Sequence, residues 1–253
     1  MRNPGTFFVA AVSILAALAS SSSLAQARPG KAHYVGSGLA YPTLNHALFV
    51  NSTALVDSPQ ASLQASYLLD PENIHASLST GGSSVGFGLG FRQNGPSSIE
   101  EFGLAGRLNI MTLGATLRTR ELENPDADIA ATFDFGSTRL SIIGRGMEAG
   151  FDRVDAGLGF IAGPFTIGLD AKKPLASGDD SWLFDAGLAA GDGRISAGFG
   201  YTFAYNGGDF FGGDIHAGIS LGLTSGIAAE AFYKPSTHEW NPGEWVIGAR
   251  FEL

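Results

Sequence analysis

The sequence predicts an all-β fold: a transmembrane, antiparallel, up-and-down β-barrel of about 14 strands, with a short N-terminal hatch or plug segment. Three observations predict it. Runs that alternate apolar and polar residues recur from Ala61 to the last residue, the period of a strand with one apolar face. Short connections between runs alternate with longer ones, as in outer-membrane barrels. Charges within the runs fall on the face opposite the apolar one. Composition agrees, at 44% hydrophobic and only 15% charged, with 36 Gly, 18 Phe and no Cys. Soluble domains carry about 25% charged residues and about half this share of glycine.

Residues 1–27 read as a cleaved signal peptide. Arg2 supplies the positive start, Phe7 to Ala19 an apolar run, and Ala25-Gln26-Ala27 a small-x-small cleavage site. The run is shorter than the ~20 residues a spanning helix needs. Loss of Arg2 makes the mature chain slightly more acidic than the formal −9 of the whole. An acidic exported chain argues against nucleic acid and against docking to anionic lipid through a basic patch. Residues 28–60 show no period of two, carry Pro29, Pro42 and Pro59, and include a moderately apolar stretch from Leu44 to Val56 with room for one short helix.

Residues 61–253 form the barrel. The apolar faces expected to meet lipid begin with Leu63, Ala65, Tyr67 and Leu69, then Ile74, Ala76 and Leu78, then Val85, Phe87, Leu89 and Phe91. The pattern runs on through Phe102 and Leu104, Leu113 and Leu117, Ile129 to Phe135, and Leu140 with Ile142. It continues through Val154 to Phe160, Phe165 to Ala171, Trp182 to Leu188, Ile195 to Phe203, Ile215 to Leu221 and Ile227 to Tyr233. The last strand carries Trp245, Ile247, Ala249, Phe251 and Leu253 on one face, and its free edge is expected to pair with the first strand near Leu63 to Leu69. Prolines after Pro59 fall at connections or strand ends, as a hydrogen-bonded ladder requires. The turn near Asn109-Ile110 has neither Gly nor Pro. Fusing the strands on either side of it would give an odd count, against the even numbers of single-chain bacterial barrels.

Inside the barrel the expected lumen-facing residues are Arg92, Arg107, Arg118, Asp134, Asp155, Asp170, Asp185, His216, Glu230 and Arg250. A Lys or Arg facing lipid costs roughly 2–4 kcal/mol at the midplane, which explains the segregation. A soluble sandwich would show the same alternation but not the rhythm of connections. The lumen face is also rich in glycine, including Gly86, Gly88, Gly90, Gly157, Gly159 and Gly200, which suits either strand curvature or space for a plug or ligand. Aromatic residues near strand ends, such as Trp182, Tyr201 and Tyr233, suit interfacial girdles.

Fourteen strands behind a short irregular segment resemble the FadL-type outer-membrane transporters of hydrophobic compounds. The family's hatch carries an Asn-Pro-Ala-Gly/Ala-Leu-like stretch. Asn51, Ala54 and Leu55 are similar in placement, with Ser52 and Thr53 where that stretch has Pro and Ala. The resemblance implies passive uptake of small, fatty-acid-like molecules, gated by displacement of the segment near Asn51. The external connections are short for that family. Phe251 and Leu253 resemble the terminal signal read by the barrel-assembly machinery, which usually ends in Phe.

Other readings remain: a structural or adhesive barrel without transport, or a small general-diffusion porin. Gly82-Ser-Ser84-Val-Gly86 matches a nucleophile-elbow pattern, but its context is a hairpin leading into a strand and not a strand leading into a helix. His33, His46, His75, His216 and His238 lack metal-ligand spacing, so neither a metal site, a cofactor nor an enzyme is expected. The Asn51-Ser-Thr sequon carries no weight in a bacterial outer-membrane protein. Glu72, Glu100, Glu101, Glu123 and Asp126 are assigned to external loops with Asp70, Glu121, Glu148, Asp179, Asp180 and Glu239. There they suit a soluble rim or divalent-cation bridges to lipopolysaccharide.

Overall fold

A computed structural model of the chain describes residues 39–40, 47–57, 61–69, 72–82, 84–94, 97–120, 123–147, 150–175, 181–191, 195–224, 227–234 and 244–252. The signal peptide and Leu253 lie outside them, as do the side chains of Tyr67, Trp245 and Arg250. The described strands are β1 (Ser62–Leu69), β2 (Glu72–Gly81), β3 (Val85–Asn94), β4 (Ser97–Leu108), β5 (Met111–Arg120), β6 (Glu123–Asp134) and β7 (Thr138–Arg145). They continue as β8 (Arg153–Ala162), β9 (Phe165–Pro174), β10 (Ser181–Gly191), β11 (Ile195–Asn206), β12 (Asp209–Thr224), β13 (Ile227–Lys234) and β14 (Glu244–Glu252).

Each strand pairs antiparallel with its sequence neighbours, and β1 pairs with β14 to close the barrel. Closure runs from Leu63 opposite Phe251 to Tyr67 opposite Ile247, so the apolar residues of the two strands share one face. With every interior edge paired, backbone N–H and C=O groups are satisfied without water, the condition for crossing hydrocarbon with strands.

The faces are inverted relative to a soluble protein. Phe87, Leu104, Leu117, Ile129, Ile142, Leu169, Phe199 and Ile215 are exposed on the outside, while Glu101, Asp128, Arg139, Asp155, Asp170 and Asp185 are buried inside. Among the described side chains, two charges on the outward face correct the strict segregation of the sequence reading. Glu100 and Lys173 share the parity of Phe102 and Leu169, near the ends of β4 and β9. At such an end a charge reaches headgroups and water and avoids the midplane penalty.

Strands also run longer than alternation alone indicates. β4 starts at Ser97, β6 at Glu123 and β12 at Asp209, which leaves only residues 95–96, 121–122 and 207–208 before them. Beyond the apolar belt the outward side chains need not be apolar, so the period of two fades while the ladder continues. Glu72, Glu100, Glu101, Glu123 and Asp126 consequently belong to strands, not to loops. The turn between β4 and β5 is real: Asn109 adopts φ 54°, left-handed backbone that asparagine tolerates better than most residues. Connections from odd to even strands define what we call the loop end of the barrel, and the others the turn end.

Candidate functional site

The inner segment is α1 (Ala47–Val50) followed by the 3-10 helix η1 (Ser52–Asp57). It rests on the inward faces of β2 to β6. Asn51 joins the two pieces. Its Oδ1 accepts from Thr53 N at 3.1 Å and Thr53 Oγ1 at 2.8 Å, capping the start of η1. Its Nδ2 donates to Leu39 O at 2.7 Å, with Ser141 Oγ at 3.2 Å and Thr132 Oγ1 at 3.3 Å. Leu39, whose N–H points at both carboxylate oxygens of Asp170 on β9, carries the contacts to the far wall. One buried amide therefore ties η1, residue 39 and the hydroxyls of β6 and β7 together. Ala54 and Leu55 are buried with Leu48, Val56 and Ala105 in the largest apolar cluster.

The glycines of the inner wall make this approach possible. A Cβ at Gly86 would lie 2.6 Å from Val56 N, and one at Gly114 would lie 2.8 Å from Thr53 N. Both obstacles are backbone and cannot swing away. A Cβ at Gly103 would meet Leu48 and Leu55, and one at Gly157 would lie 2.6 Å from Leu39 Cβ. Of the two roles the sequence leaves open for these residues, accommodation of a packed segment is the one these contacts require.

Two ion-pair groups bracket the segment. At the turn end, Asp57 closes η1 by accepting from Arg107 Nη2 at 2.7 Å and Arg139 Nη1 at 2.5 Å, and Arg139 also reaches Asp134 at 2.7 Å. Toward the loop end a continuous chain crosses six strands. Arg92 pairs with Glu101, Glu101 with Arg118 at 3.1 Å, and Arg118 with Asp128 and Asp126. Asp128 then pairs with Arg145 at 2.8 Å, Arg145 with Asp155, and Asp155 with Arg153 at 2.6 Å. Arg145 Nη2 also donates to Val50 O at 2.6 Å, fastening α1 to the wall. A guanidinium holds several partners at once in a fixed fork, which suits such a lattice.

The expected lumen residues thus sort by place. Arg92, Arg118 and Asp155 meet in the loop-end group, and Arg107 with Asp134 in the turn-end group. Asp170 holds Leu39. Asp185 accepts from Thr202 Oγ1 at 2.8 Å and lies 3.6 Å from His216 Nε2, while Glu230 accepts from Ser220 Oγ at 3.4 Å. These last three line the β10–β13 wall away from α1 and η1. Sequence reasoning missed Asp57, which it placed in the irregular segment, Glu101 and Arg145, which it placed in connections, and Asp128 and Arg153, which fall just before the apolar runs it read as strands. Parity carried past the apolar belt would have found Glu101 and Asp128, which share the phase of Gly103 and Ala130.

Ser84 is exposed before β3, and no helix follows it. His75 packs its ring 6.0 Å from that of Phe49. Among the described residues no group of three His, Asp or Glu side chains converges as a cation site, and the carboxylates of Glu101 and Asp126 are engaged by arginine. On the loop-end side of the inner segment lies a cavity of about 300 Å³, floored by Leu39, Phe49 and Val50 and walled by side chains of β3, β5, β7, β8 and β9. Outside the barrel, Trp182, Phe184, Phe203, Tyr205 and Phe210 form a ladder of rings 5.0 to 6.0 Å apart near the loop ends of β10 to β12. Lys173 Nζ lies 5.6 Å from the Trp182 ring. These side chains match the interfacial girdle of a membrane barrel.

No family model and no curated protein matches the chain. Solved structures do match in fold. The CymD monoaromatic hydrocarbon channel superposes with a TM-score of 0.65 at 11% identity, over 88% of this chain and 99% of that one. The outer membrane protein Omp33 of Acinetobacter baumannii does so with a TM-score of 0.56 at 11% identity, over 77% of this chain and 98% of that one. The fold is that of outer-membrane β-barrel channels.

Proposed function

We propose that the chain is a bacterial outer-membrane channel for passive uptake of small molecules, in which residues 28–60 obstruct and gate the lumen. The observation that carries this reading is the inner segment itself. Its described parts touch the wall from β2 round to β10 and are held there by Asn51, Asp57 and Asp170. An adhesive or structural barrel has no need of a segment held against the inner wall. Passage would follow displacement of α1 and η1 from their glycine bed. The placement of Asn51, Ala54 and Leu55 supports the FadL-like reading, and the CymD likeness supports a barrel able to serve small molecules with an apolar body. The loop end faces outward in this reading, with lipid and lipopolysaccharide around the belt and the assembly machinery reading Phe251 and Leu253. No enzymatic role is proposed.

The charged lumen wall favours a second reading, a general-diffusion porin. One experiment separates them: single-channel conductance of the refolded protein with and without residues 28–60, alongside uptake of a hydrophobic probe into vesicles. The gated channel gives small, infrequent openings from the full chain and a large steady conductance without the segment. A porin conducts equally in both forms. If neither form conducts or takes up the probe, transport is refuted.

A further inference from the structure

The cavity above the inner segment presents charge of one sign. Arg92, Arg118, Arg145, Arg153 and Lys172 line it, with Asp155 as the one acidic lining residue. The formal balance of the surrounding group is close to neutral, so exposure decides what a solute meets. The side chains of Arg153, Arg92, Arg118 and Arg145 are 42%, 29%, 20% and 13% exposed, whereas Asp155 and Glu101 are 0% exposed and Asp128 5%. The carboxylates lie behind the guanidinium groups and hold them in place. Asp126, at 33%, does not line the cavity. Donor capacity is left over at Arg92, whose buried Nε has no hydrogen-bond partner.

The floor has a different character. The Phe49 ring lies 5.3 Å below the Arg92 guanidinium carbon, beside Leu39 and Val50. A planar, forked cation over an apolar floor matches a carboxylate joined to a flat apolar body, since guanidinium groups bind carboxylate through paired hydrogen bonds. A volume of about 300 Å³ is at the small end of ligand sites and excludes long chains. We infer that this cavity is a binding site for a small organic carboxylate, one aromatic ring or a short chain in size, taken up from the loop-end side. A hydrocarbon without the anionic head would leave the cationic wall unanswered.

The site's role as a station for cargo rests on the channel reading above, but binding in detergent needs no transport. Conductance without carboxylate binding overturns this inference alone, and binding without conductance overturns the channel. The test is calorimetric titration of the full chain in non-ionic detergent with benzoate, with its neutral counterpart benzamide and with inorganic phosphate. Benzoate should bind saturably and at least tenfold more tightly than either. In the double variant Arg92→Gln/Arg153→Gln, Glu101 keeps its partner Arg118 and Asp155 keeps Arg145, so no buried acid is orphaned. Benzoate affinity should then fall at least tenfold while the weak binding of benzamide stays unchanged. Equal binding of benzoate and benzamide, equal binding of benzoate and phosphate, absence of benzoate binding, or an unaffected double variant each overturns the proposal. The comparison of ligands on the unmodified protein stands even if the variant fails to fold.

Discussion

Replacing Asn51 with leucine should open the lumen while leaving the barrel standing. The substitution keeps the size of the side chain and removes its polar atoms. Thr132 and Ser141 retain each other, their hydroxyls being 2.6 Å apart. Leu39 O and Thr53 N, both buried, lose the partner they have in Asn51. A buried polar group left unsatisfied costs about 1–3 kcal/mol, so two of them weaken the docking of the segment by about 2–6 kcal/mol. At about 1.4 kcal/mol per tenfold, the displaced population rises by a factor of roughly 30 to 20,000. The strand ladder does not involve this side chain, so the barrel should keep its heat-modifiable migration on gels. The assay is open probability in planar bilayers, compared with the unmodified protein at the same voltage and salt. A folded Asn51→Leu barrel with unchanged open probability would refute the claim that this amide holds the gate.

Other expectations follow from the same geometry. Gly114→Val places branches where Thr53 N now lies and should raise conductance as removal of the segment does. Gly106→Val, whose Cβ meets nothing within 4 Å, should leave conductance unchanged in the same bilayer assay. Phe199→Arg puts a charge on the lipid face near the middle of β11 and should destabilise the barrel by about 2–4 kcal/mol, read from urea unfolding in vesicles. Arg139→Met removes the arginine that Asp57 and Asp134 share. At 4% exposure for this side chain, the loss should reach about 3–5 kcal/mol, exceeding that of Arg107→Met, in the same titration.

Much of the architecture was legible because a lipid-facing strand obeys a simple rule. Phe87, Leu104 and Ile215 repeat at period two, and one slip would turn an arginine toward hydrocarbon. The turn at Asn109 was legible from the even strand count it restores, although no glycine marks it. Strand ends were not, because Ser97 to Glu101 and Glu123 to Asp128 lie where the outward side chain is free to be polar. The lumen was half legible. Parity pointed Arg92, Arg118 and Asp155 inward, but which acid meets which arginine depends on strand stagger, which no local pattern encodes. The glycines at 86 and 114 look like those of any coiled strand until the backbone of η1 is seen against them. Asn51 was found through a family-like placement, yet its five polar contacts involve residues as distant as Ser141, beyond the reach of any short motif.

The central claim is that movement of the inner segment controls passage, and the chain's lack of cysteine permits a direct measurement. A Cβ at Gly88 would lie 3.1 Å from Leu55 Cδ2, a side-chain atom that the substitution removes, so a Leu55→Cys/Gly88→Cys pair is within reach of a disulfide after a small adjustment. Single-channel conductance is recorded from this variant, first oxidised and then after reduction in the same bilayer. The account predicts a silent oxidised form and openings that appear on reduction and vanish on reoxidation. Equal conductance in the two states, with the disulfide confirmed by mass spectrometry, would contradict it.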